Sequence, residues 1–262
     1  MDTPASTPAN PPANPRTNPP ANPPARPAVD FRRRSLEPEW LDGADLDPEE
    51  LRKVLHDLAT FNQTFLGHYQ LLRWLSQAVR AHGSGPPLRL VDIGCGYGDL
   101  LRAIRRWARR RGVDIDLIGV DLNPETIRIA RAATPASDRI DYDAVDVFKL
   151  AQTTPVDLMV SSLVTHHFTD PEIVEFLRKM EAMARRGWAV SDLQRNRFLY
   201  HFIGFSSRLA RFHPMITHDG QLSVARSLTR SEWRERITEA GLPQAEVSIR
   251  WFLFRFLVGR LR

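Results

Sequence analysis

VDIGCGYGDL, residues 91–100, sets Gly94, Gly96 and Gly98 at alternate positions behind an apolar run, with Asp92 two residues before the first of them. The spacing is informative. A dinucleotide-binding turn needs G-x-G-x-x-G, and its last glycine would fall on Asp99. A phosphate loop of the ATPase kind ends in Gly-Lys-Ser/Thr, which is absent here. A carboxylate at Asp92 sits badly beside a pyrophosphate and well beside a cation. The stretch reads as strand, glycine turn and helix start, built for a cofactor that carries positive charge and no phosphate.

Working outward, strands and helices alternate. Strands are predicted at 88–94, 115–122, 140–148, 156–164 and 187–192. Helices are predicted at 100–110, 124–133 and 171–185 between them, and a capped helix at 227–242, with Thr229, Glu232 and Gly241 as its signals. This alternation means a parallel sheet covered on both faces, with ligands beyond the carboxyl ends of the strands. Residues 247–259 read as a strand pair closing the sheet, with membrane-surface adhesion as the minor reading. Before the core, Asp47-Pro48-Glu49-Glu50 opens one helix and a second is expected over 65–80. Residues 195–228 break the alternation and carry Phe198, Tyr200, Phe202, Phe205 and Phe212. They are expected to form a helical lid, its helix starting near Asn196, over the ligand edge.

The chain thus divides into a disordered Pro/Ala/Asn-rich tail (1–30), an N-terminal helical cap (31–87) and a catalytic domain (88–262) that includes the lid. Net charge is +5, and the basic residues are nearly all arginine. The cluster RRWARRRG (105–112) reads as the solvated face of a helix, with anion attraction as the alternative. The basic residues as a whole lack the interleaved aromatic pattern of a nucleic-acid platform. One cysteine, Cys95, excludes an internal disulfide and fits a cytoplasmic setting. No apolar stretch is long enough to cross a bilayer. Oligomeric state is not legible.

S-adenosyl-L-methionine fits the glycine turn, because it pairs a sulfonium and an ammonium with no phosphate. Asp92 would face the positive end. Asp121, at the end of the second strand, would accept from both ribose hydroxyls, with Leu122 against the adenine. Asp146, Val147 and Phe148, after the third strand, would take the adenine amine and cover the ring. Cys95 in the turn and Ser161 at the end of the fourth strand complete the expected cofactor contacts.

VDIGCGYG, GVDLNP, DAVDVF, VSSLVTHHF and AVSD, in that order over residues 88–194, resemble the class I S-adenosylmethionine-dependent methyltransferases. DPEELRKVLHDLATFN before the core and HDGQLSVARSLTRSEW after it resemble bacterial small-molecule enzymes of the ubiquinone/menaquinone-biosynthesis type, and those of polyketide and phenolic-lipid gene clusters. The resemblance implies an α/β, Rossmann-like seven-stranded sheet in which only the last strand is antiparallel.

The stretch after the fourth strand bears on the acceptor. Enzymes of this kind acting on base amines carry Asn/Asp-Pro-Pro-Tyr/Phe there; this chain has SSLVTHHF (161–168), which argues against nucleic acid. A small aromatic, quinone-like or polyketide-derived acceptor is expected, methylated on oxygen first and carbon second. An RNA or protein acceptor is the different-class alternative. A phenol needs its proton removed or polarised, and His166 and His167 are the candidate catalytic residues. Both have the alternative of holding the loop by hydrogen bonds. Tyr69, Asp192, Tyr200, His201 and His218 are the candidate acceptor contacts. His201, His213 and His218 fit no metal-ligand spacing, so a metal-independent reaction is expected.

Overall fold

A computed structural model describes residues 29–43, 46–83, 85–149 and 156–262. The tail expected over 1–30 lies outside the described residues, apart from its last two. Strands β1 (Leu88–Ile93), β2 (Ile115–Asp121), β3 (Ile140–Ala144), β4 (Val156–Ser162), β5 (Ala184–Leu193), β6 (Ser248–Phe252) and β7 (Arg255–Leu261) form one sheet. Their order is β3-β2-β1-β4-β5-β7-β6. The first five run parallel, and β7 lies antiparallel between β5 and β6. From β1 the chain winds one way through β2 and β3, then returns to β4 on the other side of β1. The loops leaving β1 and β4 diverge at this reversal, which opens a crevice at the carboxyl edge.

The strands hold that crevice rigidly. β1 is buried at every position but Arg89, as expected of a strand covered on both faces. On one face α3 (Tyr69–His82), α4 (Asp99–Arg111) and α5 (Pro124–Ala132) bring Leu71, Trp74, Leu101, Ile104 and Ile127 against it. On the other, α6 (Asp170–Met183) and α9 (Arg230–Glu239) bring Phe176, Met180, Trp233 and Ile237. Each such side chain, fully buried, contributes roughly 1.5–3 kcal/mol.

Several boundaries depart from the sequence reading. The helix expected over 65–80 begins at Tyr69, because Leu66 sits at φ +54° and turns the chain after α2 (Pro48–Thr64). The third strand stops at Ala144, and the Asp146 carboxylate then caps a short turn by accepting from Phe148 N–H. A further short helix, α1 (Trp40–Gly43), precedes α2. The stretch 195–228 holds two helices, α7 (Arg197–Leu209) and α8 (Pro214–Arg226), broken at Arg211 (φ +55°). Many of the aromatics there serve as the region's own core: Tyr200, Phe202 and Phe212 pack with Phe31, Phe61 and Phe65. Leu253 and Phe254, both at positive φ, make the two-residue turn between β6 and β7.

Candidate active site

At the glycine turn, Gly94 takes φ +67°, and a Cβ there would strike the Val164 side chain at 2.3 Å. The turn is thereby packed onto the loop that follows β4. Gly96 takes φ +49° and faces open space, so a ligand can approach its backbone. Its N–H donates to Asp121 Oδ2 at 3.0 Å, and Asn123 N–H donates to Oδ1 at 3.1 Å. Each oxygen keeps a second lone pair for a hydroxyl. Burial raises the Asp121 pKa above the usual carboxylate value.

Asp92 is 1% exposed, and its Oδ1 has no hydrogen-bond partner. Burial, reinforced by the charges of Asp99 and Asp121, pushes its carboxyl well above the ordinary range. An orphaned buried carboxyl oxygen beside an open glycine turn is what a cationic cofactor requires.

The remaining cofactor candidates divide. Ser161 Oγ donates to Ile93 O at 3.0 Å and ties β4 to β1. Leu122 is exposed on the rim beside Asp121. Phe148 is half-buried, with its ring 5.2 Å from that of Phe168. Val147 belongs to the sheet core. Asp146, besides capping its turn, lies 3.6 Å from Lys149 Nζ. The Cys95 side chain needs correction: it points into the core among Leu101 and Tyr142, where burial raises its thiol pKa. Only its backbone belongs to the turn.

The loop after β4 carries the second half of the site. Leu163 at φ +60° turns the chain, and Thr165–His167 make one 3-10 turn. Asp192, at the end of β5, grips that turn. Its Oδ2 accepts from Thr165 Oγ1 (2.5 Å) and His166 N–H (3.0 Å), and its Oδ1 stands 2.8 Å from His166 Nδ1. Burial alone would raise the Asp192 pKa; the His166 charge and the hydrogen bonds of His166 and Thr165 outweigh it and lower it to about 2. Two arginines hold the loop from outside. Arg226 donates to the carbonyls of His166 and His167, both at 2.9 Å, and Arg34 donates to that of Phe168 at 2.9 Å.

Glu39 closes the arrangement from the N-terminal segment. It is 6% exposed and accepts from Ser223 Oγ at 2.8 Å. Its two oxygens lie 3.5 Å from His166 Nε2 and 3.9 Å from His167 Nε2. His167 Nδ1 stands 3.2 Å from Asp42 Oδ2. Burial raises the Glu39 pKa, and the two histidines only partly offset this. For His167, burial would lower the pKa, but the Asp42 hydrogen bond and the charges of Glu39 and Asp42 raise it to about 9.

These groups face a cleft with about 690 Å³ of empty space, solvent at its mouth included. Leu58, Phe61, Leu163, Ile203, Met215 and Ile216 form its apolar walls; Glu39, His166 and His167 its polar side. Leu163 lines the cleft and the next residue, Val164, packs against Gly94, so the cleft adjoins the cofactor edge. Arg255, also on the cleft, is buried; Nη2 donates to Asn62 Oδ1 at 2.9 Å and Nη1 has no partner. Burial lowers its pKa to about 10.

Among the residues singled out from sequence, His166 and His167 line the cleft, whereas Tyr69, Asp192, Tyr200, His201 and His218 do not. Asp192 holds His166 and the loop, and its carboxylate is fully engaged there. Tyr69 is exposed with its ring 4.8 Å from Phe252, outside the cleft. Tyr200 is buried edge-on against Phe31, and His201 is exposed on the outer side of α7. His218 stacks on Trp40 at 3.4 Å and meets Asp219 at 2.7 Å, one step behind the wall. Glu39, Asp42, Arg34, Arg226 and Arg255 were missed. Glu39 and Asp42 sit in LEPEWLDG, which has no motif; an arginine at 226 amid apolar helix positions was the one available signal.

Residues 90–187 match a family model described as a methyltransferase domain. A ubiquinone biosynthesis O-methyltransferase of Bordetella avium is 29% identical over 203 residues, covering 75% of this chain and 74% of the relative. The same-named protein of Burkholderia pseudomallei is 29% identical over 208 residues, covering 77% and 78%. The solved structure of the plantazolicin methyltransferase BpumL, in complex with a monoazolic substrate analogue and SAH, superposes with a TM-score of 0.57. It is 15% identical and covers 82% of this chain and 96% of its own, a likeness of fold.

Proposed function

We propose that this chain, a class I S-adenosylmethionine-dependent methyltransferase, transfers methyl to an oxygen of a small aromatic, quinone-like or polyketide-derived acceptor. The observation that carries the reading is the pairing of an apolar cleft with one polar wall, Glu39, His166 and His167, joined to the glycine turn through Leu163 and Val164. Relatives named as ubiquinone O-methyltransferases support it.

S-adenosylmethionine supplies a methyl group already activated on a sulfonium. The chain's residues then have three tasks. Gly96 lets the cofactor reach the backbone, Asp92 offers its unpartnered oxygen to the positive end, and Asp121 accepts from the ribose hydroxyls. Leu58, Phe61, Ile203 and Met215 exclude water and hold a planar ring in line. The Glu39, His166 and His167 wall polarises the acceptor hydroxyl, which at a pKa of about 10 is otherwise a poor nucleophile. Asp192 and Asp42 fix both imidazoles by their Nδ1 atoms, leaving Nε2 to face the cleft.

The test is a methyl-transfer screen over phenols, quinols and resorcinols, with mass detection and carbon NMR of the product. A methoxy product supports the reading. A product methylated on ring carbon overturns the choice of oxygen, and turnover confined to RNA or protein overturns the acceptor class.

A further inference from the structure

We propose that Glu39, His166 and His167 form a site for one divalent transition-metal ion, on the wall that the acceptor hydroxyl meets. Their ligand atoms lie within 4.8 Å of one another. Ligands at about 2.0–2.2 Å from a tetrahedral ion stand roughly 3.3–3.5 Å apart. The His166 to Glu39 separation of 3.5 Å already meets that, and a rotation of the Glu39 carboxylate draws in His167 from 3.9 Å.

The orientation of the rings carries the argument. An ionised carboxylate only accepts, so Asp192 and Asp42 fix the proton of each imidazole on Nδ1. The Nε2 atoms of both then face the Glu39 carboxylate, at separations longer than a good hydrogen bond. Without an ion a proton on Nε2 of His167 meets that carboxylate, and a metal ion would displace it and take the lone pairs of both rings. A carboxylate on the far nitrogen of each ligating histidine is also the usual supporting arrangement of metal sites. Glu39, Asp42 and Asp192 surround the two rings, and among the described residues no lysine or arginine side chain forms an ion pair with them. Arg226, the nearby guanidinium, donates instead to main-chain oxygens of Glu37, His166 and His167.

Two imidazoles and one carboxylate select zinc, iron, cobalt or manganese over calcium or magnesium. Three protein ligands leave coordination positions open to the cleft. An acceptor oxygen entering one would release its proton to the water at the cleft's mouth near neutral pH, through the same effect that acidifies metal-bound water. That role rests on the acceptor reading above; ion binding does not. The inference reverses the metal-independent expectation drawn from sequence, where no spacing joined Glu39 to the histidines.

The experiment titrates Co²⁺ and Zn²⁺ into the chelator-stripped full chain without cofactor or acceptor. One equivalent of Co²⁺ per chain, with the visible absorption of a low-coordinate site, is expected. Glu39→Gln and His167→Asn should lose that absorption, whereas His82→Ala, at the far end of α3, should keep it. Because a variant in the cluster can misfold, the parent chain supplies a second readout. Zn²⁺ should protect His166 and His167 from diethylpyrocarbonate, as mapped by mass spectrometry. No stoichiometric binding in the parent, an unaltered Co²⁺ spectrum in Glu39→Gln, or unprotected histidines would overturn the site. Phenol turnover that is equal in stripped and loaded enzyme would overturn only the ion's role. Metal binding with no phenol methylated would overturn the acceptor reading and leave the site standing.

Discussion

The cofactor edge and the wall proposed to meet the acceptor lie side by side and are built in opposite ways. The cofactor edge comes from consecutive strand ends: Asp92 near the end of β1 with Gly96 just beyond it, and Asp121 at the end of β2. The acceptor wall joins segments remote in sequence. Arg34 and Phe168 are 134 residues apart, Ser223 and Glu39 184. The first half is a product of local chain geometry, and glycine placement suffices to make it. The second exists only once the N-terminal segment, β5 and α8 have packed. The two halves should therefore fail differently when broken.

The largest expected effect is on the wall. Asp192→Ala removes the carboxylate that holds Thr165 and His166 and leaves a buried imidazole without its partner. The loss should be about 3–5 kcal/mol of stability, read by urea denaturation, with turnover abolished. Next comes Asp121→Ala at the cofactor edge. It removes charge-assisted hydrogen bonds worth about 1.5–3 kcal/mol, so calorimetry should show cofactor affinity falling about 10- to 100-fold. If the variant binds as tightly as the parent, the ribose assignment is wrong. Gly96→Ala is smaller still: φ +49° strains an L-residue by about 1–2 kcal/mol, and the methyl intrudes on open space the cofactor uses. It should weaken cofactor binding more than it lowers the melting temperature. The smallest effects mark the boundary of the wall. Tyr69→Ala and His201→Ala lie outside the cleft and should leave acceptor KM unchanged and stability within about 0.5 kcal/mol. A large rise in KM for either would extend the site beyond the cleft.

The same contrast explains what the sequence disclosed. The alternation of strands and helices and the glycine turn were legible because each depends on neighbours within a few residues. Thr229 and Glu232 likewise form the capping box read from their spacing. Asp192 was noticed, but its partner was not, because nothing in AVSD specifies the turn it grips. The aromatics of 195–228 were ambiguous for a physical reason: a ring that lines a cleft and a ring that packs a helix pair share the same helical spacing. Glu39 had no local signal. A lone acid before a four-residue helix acquires meaning only through Ser223 and two histidines from elsewhere.

The central claim is that the acceptor is activated by the wall that Glu39 completes, while the cofactor is held independently of it. The most direct measurement compares the parent chain with Glu39→Gln for cofactor affinity by calorimetry and for single-turnover methyl transfer to the best phenol. The expected result is unchanged cofactor affinity with methyl transfer slowed by at least about 100-fold, the low end of what general acid–base groups contribute. Transfer at the parental rate by Glu39→Gln with intact cofactor binding would contradict it.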